Sequence, residues 1–515
     1  MSATARSQAS SLRWIAPLLL LAALFALLEF ALPGHVPHPV RPDDYANVGS
    51  EIADIGLQWK RPVSANLIFF VAGFGVTASY LFLCALAVLD AALVLLLLAR
   101  VFAVRGSLAA TLIAATAFGI IVFSHVSAFE HATYLGLLTN LISHLFGLLT
   151  LFALWRGWRE GRAHWWLSAA CTYGLTVLAK EDFLLPPFVM VAWLMLDRAP
   201  RATAPTAAHV RRLRIVGTLV LVAIGAGSML WNAHAHNPFV AGLFAPGSSH
   251  PAYVVDLTPR VLARALWTLL VDFLPAVSAT TLVAAAAMCT VRPDTRLRVL
   301  WLVATVISLA VPYALISHNM PLFRVYAWLP WMAALIVLAI QATGERMASG
   351  RHAAPPAALT STWHTTITGS ASLAVALAIA WFHYPPRVPV IAAYTQDAAL
   401  NRRIVATLRA QRMAIGTASA VGLVGLGASS PWCAQDAAYV NGKLGFHHRW
   451  IVFVNSPTRC YTQQVPDARR KQGIYVSVLD RTTLCAQGAL PVLDFAADGA
   501  GRLRRASDYC AHLAR

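Results

Sequence analysis

Residues 77–99 read TASYLFLCALAVLDAALVLLLLA, and Asp90 is the only charged residue among them. About 20 apolar residues in an α-helix are enough to cross the roughly 30 Å hydrocarbon core of a bilayer. An ionisable side chain inside such a run is costly, and it is usually found where it is used or paired. The stretch therefore predicts a membrane-spanning helix with one acidic residue at depth.

Ten further apolar runs predict additional spans. They lie at about 12–32, 107–124, 132–155, 165–179, 183–197, 215–232, 268–289, 299–317, 325–341 and 366–383. Residues 165–197 are interpreted as two spans, because one helix of 33 residues would be roughly 50 Å long, too long for the membrane core. Asp272 and Pro275 predict an interfacial helix that leads into the span at 268–289.

The composition of the 515-residue chain points the same way. Hydrophobic residues make up 58% of it and charged residues 12%, against about 45–50% and about 25% in soluble domains. These values exclude a soluble multidomain protein, a disordered chain, a coiled coil and a small disulfide scaffold. We predict an all-α polytopic membrane protein of about eleven transmembrane helices.

The basic residues predict the orientation of these spans. With a cytoplasmic N-terminus, the inner segments hold 17 Lys and Arg, and the outer loops before the last span hold six. Cytoplasmic loops carry such an excess. The net charge of +18 therefore follows the membrane topology, and nucleic acid is not an expected partner. The prediction is a multi-pass protein of the bacterial inner membrane with a periplasmic C-terminus.

The chain is predicted to divide into a transmembrane part, 1–383, and a small periplasmic α/β domain, 384–515. Tyr384-Pro385-Pro386 is expected to end the last helix. The second part carries 16 Lys and Arg against 7 Asp, which fits a solvated basic surface or contact with lipid phosphates or an anionic glycan.

Patterns within the second part predict its elements. A helix is expected at 397–413, and short strands at Trp450–Val454 and Ile474–Leu479. The glycine run at 422–427 lacks the spacing of a nucleotide-binding loop and predicts a strand and a turn. Four cysteines in an oxidising compartment predict two disulfides of open connectivity among Cys433, Cys460, Cys485 and Cys510.

The first outer loop, about 33–76, carries the acidic pair Asp43 and Asp44. Two adjacent carboxylates repel each other, and desolvation at the membrane edge adds to this repulsion, which can raise the pKa of one of them. The functional hypothesis is that Asp44 or Asp43 is a general base facing a lipid-linked substrate; the alternative is a solvated loop. We prefer Asp44, because Asp43 follows Pro42 and can serve to shape the turn.

Two further outer segments carry candidate substrate-binding residues. Glu130 and His131 in the second outer loop could position a sugar hydroxyl, bind a divalent metal, or cap a helix at the interface. Lys180 and Glu181 lie between two apolar runs, where they form a structural pair or bind and orient a lipid phosphate. No cofactor is expected, and a divalent metal stays open.

The last short outer loop carries His318, Arg324 and Tyr326. Arginine suits bidentate recognition of phosphate, so Arg324 is a candidate phosphate ligand. His318 and Tyr326 are its neighbouring substrate-binding candidates. The alternative for Arg324 is an interfacial side chain that snorkels to the membrane surface.

These elements, in this order, resemble the GT-C superfamily of integral-membrane glycosyltransferases, especially the protein O-mannosyltransferase branch and its bacterial relatives. Members carry an acidic pair after the first span, an aromatic-x-Arg-Pro motif, a Lys-Glu before an apolar-Pro segment, and a late Arg-x-Tyr followed by Leu-Pro. The matching residues are Asp43-Asp44, Trp59-Lys60-Arg61-Pro62, Lys180-Glu181 with Leu185-Pro186, and Arg324-Val325-Tyr326 with Leu329-Pro330. The similarity covers about residues 12–340.

The resemblance implies a GT-C-like fold and the inverting transfer of a sugar from a polyprenyl-phosphate donor to an acceptor hydroxyl. It implies a catalytic role for Asp43 or Asp44 and a phosphate-binding role for Lys180 and Arg324, with Arg61 as a further substrate-binding candidate. Asp182 and Asp90 depart from the family pattern.

Two alternative functions remain open. One is a transporter or flippase of lipid-linked glycan, and the other is a non-catalytic membrane scaffold that displays the periplasmic domain. Each of them contacts membrane lipid.

Overall fold

The computed structural model describes residues 3–34, 37–40, 44, 48, 61–104, 107–197, 207–234, 258–316, 321–349, 357–425, 446, 449–453, 476–479, 481–486, 488–495 and 500–513. Up to residue 415 the regular structure in this part of the chain is helical. A small sheet follows it.

Apolar helices account for the predicted spans. In chain order the helices are α1 (Ala3–Ala26, continued by a π-helical turn at Leu27–Ala31), α2 (Pro62–Ala72), α3 (Val76–Val101), α4 (Leu108–Phe123), α5 (Val126–Thr133), α6 (Leu138–Glu160), α7 (Ala163–Ala179), α8 (Pro186–Leu196), α9 (Ala207–His234), α10 (Pro259–Trp267), α11 (Pro275–Val291), α12 (Arg296–Ala314), α13 (Leu329–Ser349) and α14 (Ala357–Ile415). Every predicted span falls on one of these helices. α2 is an additional helix within the predicted first outer loop.

The lengths of these helices make the chain an integral membrane protein. Among the described residues, five helices are long and apolar enough to cross a membrane, and up to seven spans result if each of two bent helix pairs is counted as one. α7 and α8, with 17 and 11 residues, are separate helices, which confirms their interpretation as two segments interrupted at Lys180. The predicted polytopic fold class is confirmed.

The two bends shape the outer side of the membrane part. α4 and α5 meet at an angle of 80°, so the predicted second outer loop is a short helix that turns away from the span before it. The segment Pro259–Asp272 meets α11 at 89°, and its position at the membrane interface stays a prediction. Pro275 starts α11 at a position where its missing N–H costs no helical hydrogen bond.

The core of the membrane part lies around α13. Residues 324–339 are all buried, and small side chains such as Ala333 and Ala334 let neighbouring helices approach closely. On one side Trp331 packs edge-on against Trp301 of α12, with ring centroids 6.0 Å apart. Trp301 in turn stacks on Trp193 of α8 at 4.9 Å.

The expectation that Tyr384-Pro385-Pro386 ends the last helix is wrong. α14 continues through Pro385, Pro386 and Pro389 to Ile415, across the predicted domain boundary. Directly after Pro386, the Arg387 guanidinium donates to the Glu29 carboxylate at 2.7 Å and to the backbone carbonyls of Leu28 and Phe123. We attribute the continuation to this buried anchor, which fixes the turn where the prolines remove backbone donors.

A five-stranded sheet follows α14 and confirms the predicted small α/β unit. Its strands are β1 (Ala420–Val424), β2 (Arg449–Phe453), β3 (Val476–Leu479), β4 (Pro491–Phe495) and β5 (Gly501–Arg505), in the order β3-β2-β1-β4-β5. β1 pairs in parallel with both β2 and β4, and β5 is antiparallel to β4. Short helices α15 (Arg481–Cys485) and α16 (Ala506–Leu513) complete the unit.

The described part of the glycine run forms the predicted strand and turn. Gly425 follows β1 with φ at +77°, and a Cβ there would lie 2.1 Å from the carbonyl oxygen of Phe495. Only glycine fits at this close approach of β1 to the end of β4.

One of the predicted disulfides is present. Cys485 at the end of α15 is bonded to Cys510 in α16. Cys433 and Cys460 lie outside the described residues, so a second bridge between them stays a prediction.

The Glu29–Arg387 pair generates a prediction for stability. Glu29→Gln leaves the buried guanidinium of Arg387 without its counter-charge, and we expect a loss of about 3–5 kcal/mol. Thermal unfolding of the detergent-solubilised protein, followed by tryptophan fluorescence, measures it. The matched control is Glu345→Gln in the half-exposed Arg292–Glu345 pair, which should cost under about 1 kcal/mol. Equally small shifts in Tm for both variants would contradict the anchoring role.

The disulfide generates a second prediction. The bridge closes a loop with a sequence separation of 25, and the loop-entropy relation gives about 3.5 kcal/mol for its removal. Cys485→Ser should therefore expose the C-terminal unit to limited proteolysis while the membrane part stays protected. Peptide mapping without reductant should recover Cys485 linked to Cys510, and recovery of Cys485 bonded to Cys433 or Cys460 would show that the pairing is wrong.

Candidate functional site

A buried ion pair marks the break between α7 and α8. Lys180 ends α7 in an extended conformation, with φ at −167° and ψ at 154°. Its ammonium lies 2.9 Å from the Asp182 carboxylate, with the two side chains 15% and 4% exposed. A 3₁₀ turn at Glu181–Phe183 carries the acid back toward the lysine, so the local backbone folds the two charges together.

Polar side chains from two other helices complete the environment of Lys180. Its Nζ donates to Oδ1 of Asn140 on α6 at 2.9 Å. The Asn140 amide nitrogen donates to the hydroxyl of Tyr313 on α12, also at 2.9 Å. On the other side, Ser143 donates to the backbone carbonyl of Lys180. The lysine is thus fixed by α6 and α12 as well as by its own turn.

Arg324 lies on the same tyrosine as Lys180. The Arg324 guanidinium carbon is 5.0 Å from the centre of the Tyr313 ring, and the Lys180 nitrogen is 5.8 Å from it. Both distances are in the range of cation–π attraction, and they place the two cationic groups within about 11 Å of each other. Arg324 belongs to a 3₁₀ helix at Leu322–Ala327 and is 8% exposed, so it is a buried arginine and does not snorkel.

The first outer loop reaches this region through Arg61. The Arg61 guanidinium donates to the Glu181 carboxylate at 2.8 Å. Arg61 has a left-handed backbone conformation, with φ at 54°, immediately before Pro62 starts α2. Next to it, Ser64 donates to the carbonyl of Ala179 at 2.7 Å, which fixes the start of α2 on the end of α7.

Burial and pairing act on the charges of the pair in opposite directions. Burial lowers the pKa of the Lys180 ammonium below its ordinary value, and the Asp182 carboxylate acts against that shift. Burial, the largest single effect, raises the pKa of Asp182. The charge and hydrogen bond of Lys180, together with His144 and Tyr313, outweigh burial and keep that pKa below the ordinary value. Both groups are therefore expected to be charged at neutral pH.

Asp44 is fully buried, and each of its oxygens accepts a backbone hydrogen bond. Oδ1 accepts from the N–H of Leu135 at 2.7 Å, and Oδ2 accepts from the N–H of Val40 at 3.1 Å. Such bonds favour the charged carboxylate and hold its orientation. They also connect the first outer loop to the segment between α5 and α6. Whether Asp44 acts as a base stays a prediction.

The same loop is fixed to α14. The Tyr394 hydroxyl accepts from the His38 N–H at 3.0 Å and donates to the His38 carbonyl at 2.9 Å. Burial, together with the nearby Arg402, lowers the pKa of His38 to about 4, so this histidine is neutral at neutral pH. Tyr394 also packs edge-on against Phe129 of α5.

Glu130 and His131 lie buried on α5. His131 stacks on Tyr326 with ring centroids 4.3 Å apart, and the Tyr326 hydroxyl donates to the carbonyl of Ala87 on α3. Among the described residues, no three His, Cys, Asp or Glu side chains are grouped so that they could hold a metal ion.

The structure brings four of the ten predicted site residues together. One connected region contains Lys180, Glu181, Arg61 and Arg324. A separate stacked pair is formed by His131 and Tyr326. Asp43 and His318 lie outside the described residues. Sequence reasoning missed Asn140 and Tyr313, because a single polar residue in an apolar run gives no indication of its partner. It noted Asp182 only as a departure from a family pattern.

Comparison with known proteins connects the chain to one solved fold. No family model matches the sequence, and no curated protein matches it. The chain is similar to the crystal structure of ArnT from Cupriavidus metallidurans bound to undecaprenyl phosphate, with a TM-score of 0.51 and 15% sequence identity. The alignment covers 96% of this chain and 94% of ArnT.

The chain has the ArnT fold. The likeness extends over the C-terminal sheet as well as the membrane helices, because so little of either chain is left out. The predicted polytopic membrane fold with a small C-terminal α/β unit is thereby confirmed. The sequence resemblance covered about residues 12–340, and the ArnT likeness is therefore broader.

The backbone bonds of Asp44 generate a third prediction. Asp44→Ala leaves the buried N–H groups of Leu135 and Val40 without their acceptor, and each such loss costs about 1–3 kcal/mol. Asp44→Asn keeps one carbonyl oxygen and should cost about half as much. Tm of the solubilised protein measures both effects, with Asp272→Ala at an exposed interfacial site as the control. A Tm for Asp44→Ala equal to that of the control would contradict a structural role for these bonds.

Proposed function

We propose that the chain is a glycosyltransferase that moves a sugar from a polyprenyl-phosphate donor to an acceptor hydroxyl. The reaction takes place at the periplasmic face of the bacterial inner membrane and inverts the configuration at the anomeric carbon. The observation that carries the proposal is the placement of two cations, Lys180 and Arg324, on one tyrosine ring.

Phosphate is the anion that this arrangement suits best. Arginine presents a planar fork of donors, and lysine adds a compact point charge. Both cations lie among apolar helices, the surroundings that suit a phosphate on a long hydrocarbon chain. ArnT, which has the same fold, was crystallised with undecaprenyl phosphate, and this supports a polyprenyl phosphate as the ligand here.

The chemistry of the transfer assigns a role to each charge. The acceptor oxygen attacks the anomeric carbon from the side opposite the phosphate, and the bond between that carbon and the phosphate oxygen breaks. The lipid phosphate departs with the bonding electrons, so negative charge develops on it. Lys180 and Arg324 stabilise that charge, because fixed cations in a site with little water need not reorganise during the step.

The proton of the acceptor hydroxyl passes to a carboxylate. Asp44 is our first candidate and Asp43 the second, as the order of the sequence motifs implies. The two amide donors of Asp44 fix the orientation of its carboxylate. A base requires such a fixed orientation before attack.

Asp182 and Arg61 have supporting roles in this proposal. Asp182 keeps Lys180 charged and directed, while Glu181 holds Arg61 beside the same turn. Neither acid needs to contact the substrate. Both keep buried cations compensated when the site is empty.

A transporter of lipid-linked glycan is the second candidate. Asp90 and His144 are buried inside spans, and ionisable groups at such depth are typical of transport pathways. Movement of a labelled lipid-linked glycan across reconstituted vesicles, without sugar transfer to any acceptor, would favour this candidate.

The proposed transfer is tested with purified protein and a polyprenyl-phosphate sugar. Lys180→Met and Arg324→Gln should each reduce kcat/KM by about 10²–10³-fold, as for loss of one group that stabilises developing charge. Asp44→Asn or Asp43→Asn, whichever is the base, should reduce kcat by about 10²–10⁴-fold. Release of the free lipid phosphate, resolved by chromatography, is the measurement.

Arg264→Gln is the matched control, because Arg264 is an exposed arginine on the interfacial helix α10. Its rate should equal that of the unaltered protein. Full activity in both the Lys180 and the Arg324 variants would contradict the phosphate assignment. Full activity in both aspartate variants would contradict the assignment of the base.

A further inference from the structure

Asp90 on α3 and His144 on α6 form a pair within the membrane part that the proposed chemistry does not use. Asp90 is 3% exposed and His144 5%. The Nδ1 atom of His144 lies 4.0 Å from Oδ2 of Asp90. Neither oxygen of Asp90 accepts a hydrogen bond from the described residues, and the Nε2 atom of His144 has no such partner either.

The pair lies directly beneath the polar site. His144 is one helical turn from Asn140, the residue that accepts from Lys180, so the two side chains share one face of α6. On α3, Asp90 is three residues from Ala87, whose carbonyl accepts from Tyr326. The pair therefore lies about one helical turn along α6 and α3 from the residues that contact Lys180 and Tyr326.

Several titratable or charged groups face the pair from the elements packed around it. Lys180 and Asp182 act on His144 from the turn after α7, and His131 acts on it from α5. Tyr326 is within electrostatic reach of Asp90, and Cys84 and Glu29 act on the same tyrosine. Phe183 covers the imidazole ring at 5.7 Å. Among these groups, Lys180 is the cation nearest the proposed phosphate position.

A carboxylate buried without hydrogen-bond donors is costly in a membrane, and binding a proton removes that cost. An imidazole at 4.0 Å is too far away for a direct hydrogen bond, but its charge state and that of the carboxyl group influence each other. A negative charge arriving at Lys180 would lie roughly 10 Å from the pair, where two unit charges change each other's equilibria by about tenfold at an effective dielectric constant near 20. Protonation of the pair and occupancy of the phosphate site must therefore influence each other.

We propose that Asp90 and His144 are a proton-binding dyad linked to the phosphate site, so that binding of a polyprenyl phosphate group is accompanied by uptake of a proton from solvent. The inference rests on the proposed function, because it takes the anion to bind at Lys180 and Arg324. By reciprocity, protonation of the dyad strengthens phosphate binding, and loss of the proton at higher pH weakens it.

The sign of the effect follows from charge alone. The deprotonated dyad carries one negative charge, which repels the phosphate, and the protonated dyad does not. As pH rises through the titration of the dyad, the Kd for the phosphate group should rise by about tenfold. Asp90→Asn cannot acquire this charge, so its Kd should stay near the low-pH value of the unaltered protein.

Isothermal titration calorimetry tests the linkage. The probe is a short-chain polyprenyl methyl phosphodiester, whose single negative charge does not titrate, so any proton taken up binds to the protein. Each titration is run in two buffers that differ in ionisation enthalpy, at several values between about pH 5 and pH 9, the range that spans a perturbed histidine or carboxyl group. The difference in heat gives the number of protons taken up.

The unaltered protein should take up a fraction of a proton that peaks at one pH, and Asp90→Asn should take up none. His144→Gln leaves the carboxyl group without its imidazole and should move the peak to another pH. Asp294→Asn, an exposed acid on the opposite side of the membrane part, is the control and should behave as the unaltered protein. If Asp90→Asn fails to fold, the linkage is tested by His144→Gln alone, through the change in the pH at which proton uptake peaks.

The two proposals fail in different ways. Binding of the phosphodiester with equal heats in both buffers at every pH would overturn the dyad and leave the proposed function standing. Unchanged proton uptake in Asp90→Asn would overturn the dyad as well. Absence of any phosphodiester binding to the unaltered protein would overturn both the proposed function and the dyad. Without a bound phosphate there is nothing to which proton uptake could be linked.

Discussion

The ammonium of Lys180 is buried at the end of a membrane helix, and such a charge must be compensated within the protein. Asp182 supplies the opposite charge at 2.9 Å, and Asn140 supplies a carbonyl acceptor at the same distance. The need to bring these groups together explains why α7 ends at Ala179 and why a 3₁₀ turn precedes α8. Tyr313 and Arg324 are arranged around the same point, so the candidate site follows from the compensation of one charge.

The outer segments are fixed by contacts of a different kind. Asp44 binds two backbone N–H groups, Tyr394 binds both backbone groups of His38, and Arg387 binds Glu29 together with two carbonyls. These bonds connect the first loop to α14 and to the segment between α5 and α6, and they connect α14 to the ends of α1 and α4. Because α14 also leads into the C-terminal sheet, that unit is connected directly to the loop that carries the candidate base.

Much of the fold could be predicted because apolar runs long enough to cross a membrane have few alternatives. The split at Lys180 and the bend before Pro275 were also predictable, since charge and proline interrupt a span visibly. The continuation of α14 through Pro385 and Pro386 was not, because it depends on a buried pair between residues more than 350 positions apart. The Tyr313 contact of Lys180 and Arg324 was missed for the same reason: it joins three distant segments, none of which carries a local pattern for it.

The central claim is that a lipid phosphate binds between Lys180 and Arg324. Its most direct test is an electron cryo-microscopy structure of the protein in lipid nanodiscs with a polyprenyl phosphate. The account predicts phosphate density within about 4 Å of both the Lys180 ammonium and the Arg324 guanidinium, the range of a direct ion pair. Phosphate density on the basic C-terminal unit or at the arginines of the opposite membrane face, with none at Lys180, would contradict it.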